Sequence, residues 1–264
     1  MIDAERKTYE HILFERDGEV ARITMNRPEK RNALSLSHMQ ELTDAFRSVG
    51  ESREVRAVIL AGNGPAFCAG HDLAEMLDRD PGFYRRTFEV CTGMMMAIRS
   101  IPQPVIARVH ATATAAGCQL AATCDLVVAS TEARFATPGV KIGLFCSTPM
   151  VALSRSVGQK KSMEMLLTGD FVPAEEAERI GLVNRVVPPE ELEGATLELA
   201  RKICAASPLV VGVGKQAFYR QLEMPTEQAY AYAQEVMSFN ATFADAQEGM
   251  CAFLEKRAPE WQGR

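Results

Sequence analysis

The sequence lacks the features that define several large classes of protein. It has no run of about 18 apolar residues, which argues against a membrane-spanning helix. Charges of both signs are interspersed and the net charge is −5, so we expect neither a nucleic acid nor a membrane as a partner. No repeat or low-complexity segment is present. Any anion that this protein binds must therefore be recognised by a local group of residues.

Cysteine is present, but without the spacing of a metal site or of a disulfide framework. The seven cysteines form no Cys-x-x-Cys pair and no zinc spacing with the four histidines. We therefore expect no metal, no disulfide and a reducing compartment. The first seven residues, Met1 to Lys7, are acidic as well as basic and lack the pattern of a secretory or transit peptide, which favours a cytoplasmic protein.

The 264 residues, of which 47% are hydrophobic and 24% charged, have the balance of a globular protein with one large domain. Short apolar runs that end in turn residues predict buried strands at Val20–Met25, Ala57–Leu60, Val105–Val109 and Leu126–Ala129. Helical segments separate them, at Thr87–Arg99 and Ala115–Thr123 among others. Strands that alternate with helices in this way indicate an α/β protein with a mainly parallel sheet.

Ser35 is a candidate N-cap for a helix whose apolar stripe contains Met39, Leu42 and Phe46. After residue 157 the pattern is mostly helical, with one predicted strand at Leu182–Val187. We expect a core domain at 1–200 and a helical C-terminal subdomain at 201–264. The predicted helices of this part are Lys160–Leu167, Ala174–Arg179, Glu190–Ala206, Leu209–Leu222 and Thr226–Asn240.

Two segments of small residues follow predicted strands. Ala66–Leu73 lies beyond a Gly-rich loop, and Ala111–Ala121 opens a helix, whose N-terminus offers unpaired amides. Taken singly, each is explained equally well by a turn or by close helix packing. Together, they provide the paired backbone amides that stabilise a developing oxyanion.

In order and spacing, these segments resemble the crotonase (enoyl-CoA hydratase/isomerase) superfamily. The resemblance covers nearly the whole chain and rests on Asn26–Ser35, Ala66–Leu73, Ala115–Ala121, Cys124–Leu126, Phe135–Gly139 and Glu248–Arg257. Within that superfamily, the chain is most similar to the enoyl-CoA hydratase domain-containing protein 3 subgroup, through Cys68–Leu73, Ala113–Leu120, Phe135–Val140 and Gly143–Pro149.

The resemblance implies a crotonase-type (ClpP-like) spiral of strand-strand-helix units with a helical trimerisation subdomain. It implies an acyl-CoA substrate, a homotrimer or dimer of trimers, and no cofactor beyond the coenzyme A of the substrate. The oxyanion-hole amides fall on His71 and Ala116, with Gly117 following the second. The positions implied for coenzyme A binding are Lys30, Arg31, Ala33, Ala69, Asp72, Leu73, Phe253 and Lys256, the last two toward a neighbouring subunit.

The chain departs from the hydratases of this family at two positions. The two glutamates that activate water and transfer a proton correspond to Gln119 and Gly139, neither of which accepts a proton at neutral pH. General acid–base catalysis contributes about 10²- to 10⁴-fold for such a group, so ordinary enoyl-CoA hydration is disfavoured.

Other residues are candidates to replace the missing glutamates. The segment Leu144–Ser147 aligns with the acyl end of the pocket in related enzymes, and a decarboxylase of the superfamily shares Ala-Gly-His-Asp, found here at Ala69–Asp72. His71 is a candidate proton donor, a contact for a substrate carboxylate, or a pocket wall. Cys146 is a candidate nucleophile or an inert buried thiol, and Glu75 either reaches the pocket or lies on the surface.

Three functional hypotheses remain open at this point. The first is an enzyme that stabilises a thioester enolate in a reaction that needs no glutamate pair, such as decarboxylation. The second is a non-catalytic acyl-CoA-binding homologue, and the third is a residual hydratase or isomerase.

Overall fold

A computed structural model describes residues 3–264, apart from the side chain of Arg6, so the first two residues of the predicted core domain lie outside it. Ten strands, numbered along the chain, form two sheets. They are β1 (Ile12–Asp17), β2 (Val20–Met25), β3 (Ala57–Gly62), β4 (Ala66–Cys68), β5 (Val105–Val109), β6 (Thr112–Thr114), β7 (Leu126–Ser130), β8 (Arg134–Ala136), β9 (Val172–Pro173) and β10 (Arg185–Val187).

The larger sheet has the order β1-β2-β3-β5-β7-β10, and the smaller one has the order β4-β6-β8-β9. The edge strand β1 pairs antiparallel with β2, and the edge strand β9 pairs antiparallel with β8. All the other neighbouring strands are parallel. Parallel strands require helical crossovers that cover the sheet. The α/β architecture with a mainly parallel sheet is therefore confirmed.

The helices are α1 (Asp3–Arg6), α2 (Leu36–Gly50), α3 (Leu73–Met76), α4 (Pro81–Ser100), α5 (Ala116–Thr123), α6 (Pro149–Ser156), α7 (Gln159–Thr168), α8 (Ala174–Arg179), α9 (Leu192–Cys204), α10 (Pro208–Gln221), α11 (Thr226–Asn240) and α12 (Ala244–Glu255). Short 3₁₀ segments lie at Pro28–Lys30, Pro138–Ile142 and Pro189–Glu191. No helix within residues 3–264 is long and apolar enough to cross a membrane.

Helix α2 begins where the sequence predicts. The Ser35 hydroxyl accepts a hydrogen bond from the His38 N–H, which satisfies one of the free donors of the first turn. The predicted stripe of Met39, Leu42 and Phe46 is fully buried in the main core. A Leu-sized side chain buried in this way contributes about 1.5–3 kcal/mol.

Several elements differ from the sequence prediction. Helix α4 starts at Pro81, six residues earlier than predicted, because proline is tolerated at the first helical position and the Asp80 side chain caps the N–H groups of Gly82 and Phe83. Strand β1 was not predicted because, as an edge strand, it buries only Ile12 fully. After residue 157 there are two strands, and β9 is too short to leave a pattern in the sequence.

The boundary predicted at residue 200 falls inside α9. That helix packs on the larger sheet against Ile59, Ile106 and Val128, so it belongs to the core as far as Cys204. The break comes at 205–207, where the Ser207 hydroxyl caps α10.

A buried polar group attaches α10 to the core. The ammonium of Lys215 lies 2.8 Å from a carboxylate oxygen of Asp125 and donates to the carbonyls of Ile98 and Gln103, both at 2.9 Å. The Tyr219 hydroxyl donates to the other Asp125 oxygen at 2.7 Å. By contrast, α11 buries none of its residues within this chain. Lys215 thus anchors α10 to the core, whereas α11 leaves its surface uncovered.

Candidate active site

The small-residue segments meet at one edge of the smaller sheet. Ala69 follows β4, Ala115 follows β6 and Thr137 follows β8, and these three strands are parallel neighbours. The carboxyl ends of parallel strands lie at the same edge of a sheet, which is where ligands bind in open α/β sheets. Here the loops after the strands, with Phe88 of α4 and the segment 138–149, enclose a cavity of about 480 Å³.

The wall of this cavity is mostly apolar. No carboxylate side chain within the described residues lines it. Lys141, the one lysine of the wall, pairs with Asp170 at 2.7 Å. The remaining wall residues are Ala69, His71, Leu73, Phe88, Ala115, Ala116, Pro138, Gly139, Ile142, Leu144, Phe145, Cys146, Ser147, Thr148 and Pro149. A reaction in this cavity therefore has no protein carboxylate to act as its base.

Two backbone N–H groups beside the cavity have no acceptor in the described chain, those of His71 and Ala116. Ala116 is the first residue of α5, so its amide lies outside the intrahelical hydrogen bonds. A Cβ placed on Gly70 would lie only 3.3 Å from the Ala116 nitrogen, which shows how closely the two segments approach. Paired free amides of this kind are what an oxyanion hole requires.

Ala115, the residue before the second amide, has an unusual backbone conformation. Its φ of 50° and ψ of −119° cost about 1–3 kcal/mol for a residue with a side chain. Hydrogen bonds hold it on both sides, because its N–H donates to Ala136 at 2.9 Å and its carbonyl accepts from Gln119 at 3.0 Å. Such strain is typical of functional sites.

Gly117, predicted next to the oxyanion hole, has a packing role in this structure. A Cβ at this position would lie 2.1 Å from the Cys68 carbonyl oxygen. Glycine is therefore required for α5 to pack directly against β4.

His71 lines the cavity with its imidazole ring edge-on to Phe88, at 5.4 Å between ring centroids. Its Nε2 atom is buried and has no hydrogen-bond partner. Burial lowers the pKa of His71 to about 4, so the ring is neutral at pH 7.

Gln119 lies one helical turn after Ala115 and Ala116 and is not among the residues that line the cavity. The residue is buried, and its Oε1 atom has no hydrogen-bond partner. It can accept a hydrogen bond but cannot take a proton at neutral pH.

Gly139 lies in the wall and is tightly enclosed. A Cβ there would lie 2.0 Å from the Leu144 carbonyl oxygen and 2.8 Å from the Cys146 sulfur. The Leu144 N–H also donates to the Gly139 carbonyl at 2.9 Å, which fixes the fold-back of the segment 143–147. The main chain therefore occupies the space into which a side chain at position 139 would project.

Cys146 lies in the same wall and is buried. Burial raises the pKa of its thiol, so the thiolate is scarce at pH 7. This environment is that of a small apolar wall residue rather than of an activated nucleophile.

The loop that bears Lys30, Arg31 and Ala33 is attached to the rim of the cavity. The Ala69 N–H donates to the Arg31 carbonyl at 3.0 Å, and the side chains of Lys30 and Arg31 are exposed without an ion pair in the described chain. Leu73, in the wall, is half exposed. The rim thus presents two free cations near the cavity.

Asp72 and Glu75 both have structural contacts within the chain, and a contact of Asp72 with coenzyme A remains a prediction. Asp72 forms a mostly buried ion pair with Arg27 at 3.1 Å, and neither acidic residue lines the cavity. Glu75 accepts the Leu36 N–H at 2.9 Å and so caps the first turn of α2.

Phe253 and Lys256 lie at the end of α12 and do not line the cavity. Phe253 is 82% exposed, and Lys256 ends the helix in a left-handed conformation. A contact of these residues with a coenzyme bound to another subunit remains a prediction.

Asn32, which sequence reasoning did not select, holds the rim loop in place. Its side-chain amide donates to the carbonyls of Asn63, Ala66 and Phe67, at 2.8–3.1 Å. Its φ of 55° is left-handed, a conformation that asparagine tolerates better than most residues. An Asn before a helix N-cap gives no signal of such long-range contacts.

Comparison with known proteins gives a consistent family assignment. Residues 15–264 match the family described as enoyl-CoA hydratase/isomerase. Enoyl-CoA hydratase domain-containing protein 3 of Mus musculus, named as mitochondrial, is 45% identical over 94% of this chain and 82% of its own length. A crystal structure of an enoyl-CoA hydratase from Mycobacterium smegmatis is 51% identical, with a TM-score of 0.94 over 96% of this chain and 99% of that chain.

The crystal structure of human enoyl-CoA hydratase domain-containing protein 3 is 43% identical, with a TM-score of 0.93 over 96% of this chain and 100% of that chain. These similarities confirm the predicted superfamily, subgroup and crotonase-type fold. The predicted cytoplasmic location is wrong, because the mouse and human relatives are named as mitochondrial. The prediction rested on the pattern of Met1 to Lys7, which does not determine the compartment of the protein.

Proposed function

Since the chain belongs to the enoyl-CoA hydratase/isomerase family, we propose that it binds an acyl-CoA thioester in the cavity beyond β4, β6 and β8 and stabilises the thioester enolate there. The free amides of His71 and Ala116 are the proposed oxyanion hole. Each such N–H donor stabilises the oxyanion of the transition state by about 2.7–4 kcal/mol. The exposed Lys30 and Arg31 supply the positive charge that the coenzyme phosphates need in a protein of net charge −5.

The reaction that we propose is decarboxylation of an acyl-CoA that bears a carboxylate on its α carbon. The observation that favours it is the wall of the cavity, which has two free amides at one side and no described carboxylate. Hydration and double-bond migration by the glutamate-dependent route of this family both need a carboxylate base. Decarboxylation does not, because the breaking C–C bond itself supplies the electron pair of the enolate.

The enclosure of Gly139 supports the same choice. With the Leu144 carbonyl 2.0 Å from the place of a Cβ, the position cannot hold an acid side chain unless the segment 143–147 moves. Residual hydration through Gln119 is disfavoured as well, because Gln119 does not line the cavity and its amide cannot take a proton from water.

We further propose that the uncovered faces of α11 and α12 pack against copies of this chain in a homotrimer or dimer of trimers. Both helices expose large apolar side chains, among them Tyr230, Met237, Phe253 and Leu254, each more than 70% exposed. Large apolar side chains exposed in such number are typical of an interaction surface.

A panel of acyl-CoA thioesters tests the reaction, with crotonyl-CoA, methylmalonyl-CoA and longer enoyl thioesters followed by chromatography with mass detection. We expect loss of carbon dioxide from methylmalonyl-CoA or a relative and no rapid hydration of crotonyl-CoA. Rapid hydration would overturn the proposal. Binding without any product would favour a non-catalytic acyl-CoA-binding protein.

The oxyanion hole is tested by replacing its second donor. Ala116→Pro removes the N–H at the first helical position, where proline is best tolerated, and Ala116→Gly is the matched control that keeps the amide. We expect the proline variant to release carbon dioxide from its α-carboxyacyl-CoA substrate about 10²- to 10³-fold more slowly than the control. Equal rates in two folded variants would exclude Ala116 as a donor.

A further inference from the structure

The buried histidine of the cavity has an unusual combination of properties. His71 is part of the wall, next to the proposed oxyanion hole, yet its Nε2 atom is enclosed and has no partner. Buried polar atoms are nearly always hydrogen-bonded, so an exception beside a cavity calls for a functional explanation.

Among the described residues, no unpaired charged side chain lines the cavity around His71. Lys141 of the wall pairs with Asp170, and Asp72 pairs with Arg27. Cys146, the other titratable wall residue, has a thiol whose pKa is raised by burial. Desolvation is the sole cause that lowers the pKa of His71 to about 4. The ring is therefore neutral only because nothing nearby compensates its charge.

A carboxylate entering the cavity would supply that compensation, because an opposite charge within about 4–6 Å favours the charged form of a titratable group. We propose that His71 takes up a proton when the carboxylate of an α-carboxyacyl-CoA binds, and then delivers this proton to the α carbon of the enolate. This inference rests on the proposed decarboxylation.

The steps balance in protons and electrons. Binding brings one carboxylate and one proton, which together form a carboxylate–imidazolium pair in the cavity. The C–C bond then breaks, its electron pair passes into the enolate held by the amides, and carbon dioxide leaves. The negative charge of the carboxylate now lies on the enolate, whose α carbon is a much stronger base, so the imidazolium protonates that carbon and returns to the neutral form.

Calorimetry in buffers of different ionisation enthalpy tests the proton uptake directly. The probe is 2-carboxyethyl-CoA, a thioether that bears its carboxylate at the same distance from the sulfur as the proposed substrate and cannot decarboxylate, and the neutral S-propyl-CoA is its control. At pH 6 we expect an uptake of about half a proton per 2-carboxyethyl-CoA bound and none for S-propyl-CoA.

Two variants assign the uptake to one residue. His71→Gln keeps the backbone amide and should abolish the uptake, while lowering the rate of product protonation about 10²-fold or more. His38→Gln is the matched control, because His38 is also buried with a pKa lowered to about 4, mainly by burial, but does not line the cavity. It should leave the uptake unchanged.

The outcomes separate this inference from the proposed function. Equal uptake in wild type and the His71→Gln variant, or no uptake in wild type, overturns the role of His71 even if decarboxylation occurs. Failure of the wild type to decarboxylate any α-carboxyacyl-CoA overturns the proposed function and the delivery step with it. Decarboxylation with uptake that is lost only in the His71→Gln variant supports both.

Discussion

Replacement of Gly139 by alanine is expected to destabilise the protein strongly for so small a change. The added Cβ would lie 2.0 Å from the Leu144 carbonyl oxygen, whereas real Cβ atoms essentially never come within 3.0 Å of such an atom. The Leu144 N–H donates a hydrogen bond to the Gly139 carbonyl, so the main chain at Leu144 cannot move away from Gly139 without losing that hydrogen bond. We expect a loss of about 3 kcal/mol of unfolding free energy, at the upper end for overpacked sites.

Thermal unfolding followed by circular dichroism measures this loss. For a chain of roughly this size each kcal/mol corresponds to about 2–4 °C, so we expect the Tm to fall by about 6–12 °C. Gly194→Ala is the control, because Gly194 lies in α9 with nothing within 4 Å of an added Cβ. That variant should gain about 0.5–1 kcal/mol, since alanine is the better helix former.

An unchanged Tm in the Gly139→Ala variant would refute the reasoning. It would mean that the segment 143–147 yields easily, and that an acid at position 139 is sterically possible. The steric support for the proposed function would then be lost, and the argument against a hydratase would depend on the absence of a carboxylate among the described residues of the cavity wall.

Three further predictions concern charge. Lys215→Ala leaves the Asp125 carboxylate without its ammonium partner. The free energy of unfolding, measured by chemical denaturation, should fall by about 3–5 kcal/mol. A fall below about 1 kcal/mol would mean that water replaces the ammonium. The pKa of His71 is about 4 in the folded protein, compared with the ordinary value of 6.5. As the pH drops from 6.5 towards 4, the unfolded chain therefore binds the proton first and the free energy of unfolding should fall. Unfolding midpoints of the His71→Gln variant should fall less steeply over the same pH range. Lys30→Ala and Arg31→Ala should each weaken coenzyme A binding about 3- to 10-fold with a smaller salt dependence in calorimetric titrations, and unaltered binding in both would place the phosphates elsewhere.

Elements of the fold that depend on side chains close together in the sequence were predicted from the sequence. The cap at Ser35 and the buried stripe through Phe46 depend on side chains a few residues apart. By contrast, Pro81 reads as a break although it opens α4. Strand β9 is held only by its partner β8, 37 residues away at Phe135 and Val172, and a contact of that range leaves no local pattern.

The candidate site was predicted in part for the same reason. The sequence indicated two amide-bearing segments, and the resemblance placed His71 and Ala116 at them. It could not show that Asp72 is paired with Arg27, that Glu75 caps α2, or that Asn32 holds the rim loop, because the partners are 31 to 45 residues away.

The sequence alone determined the family, the alternation of strands and helices, and the absence of glutamate at positions 119 and 139, since these depend on residue identity and order. Only the tertiary structure decided what those positions mean. Main-chain packing fills the space at Gly139, and burial without a counter-charge keeps His71 neutral. Both effects arise from atoms that the fold brings together across the chain, and their steric overlap and desolvation exist only in the folded state.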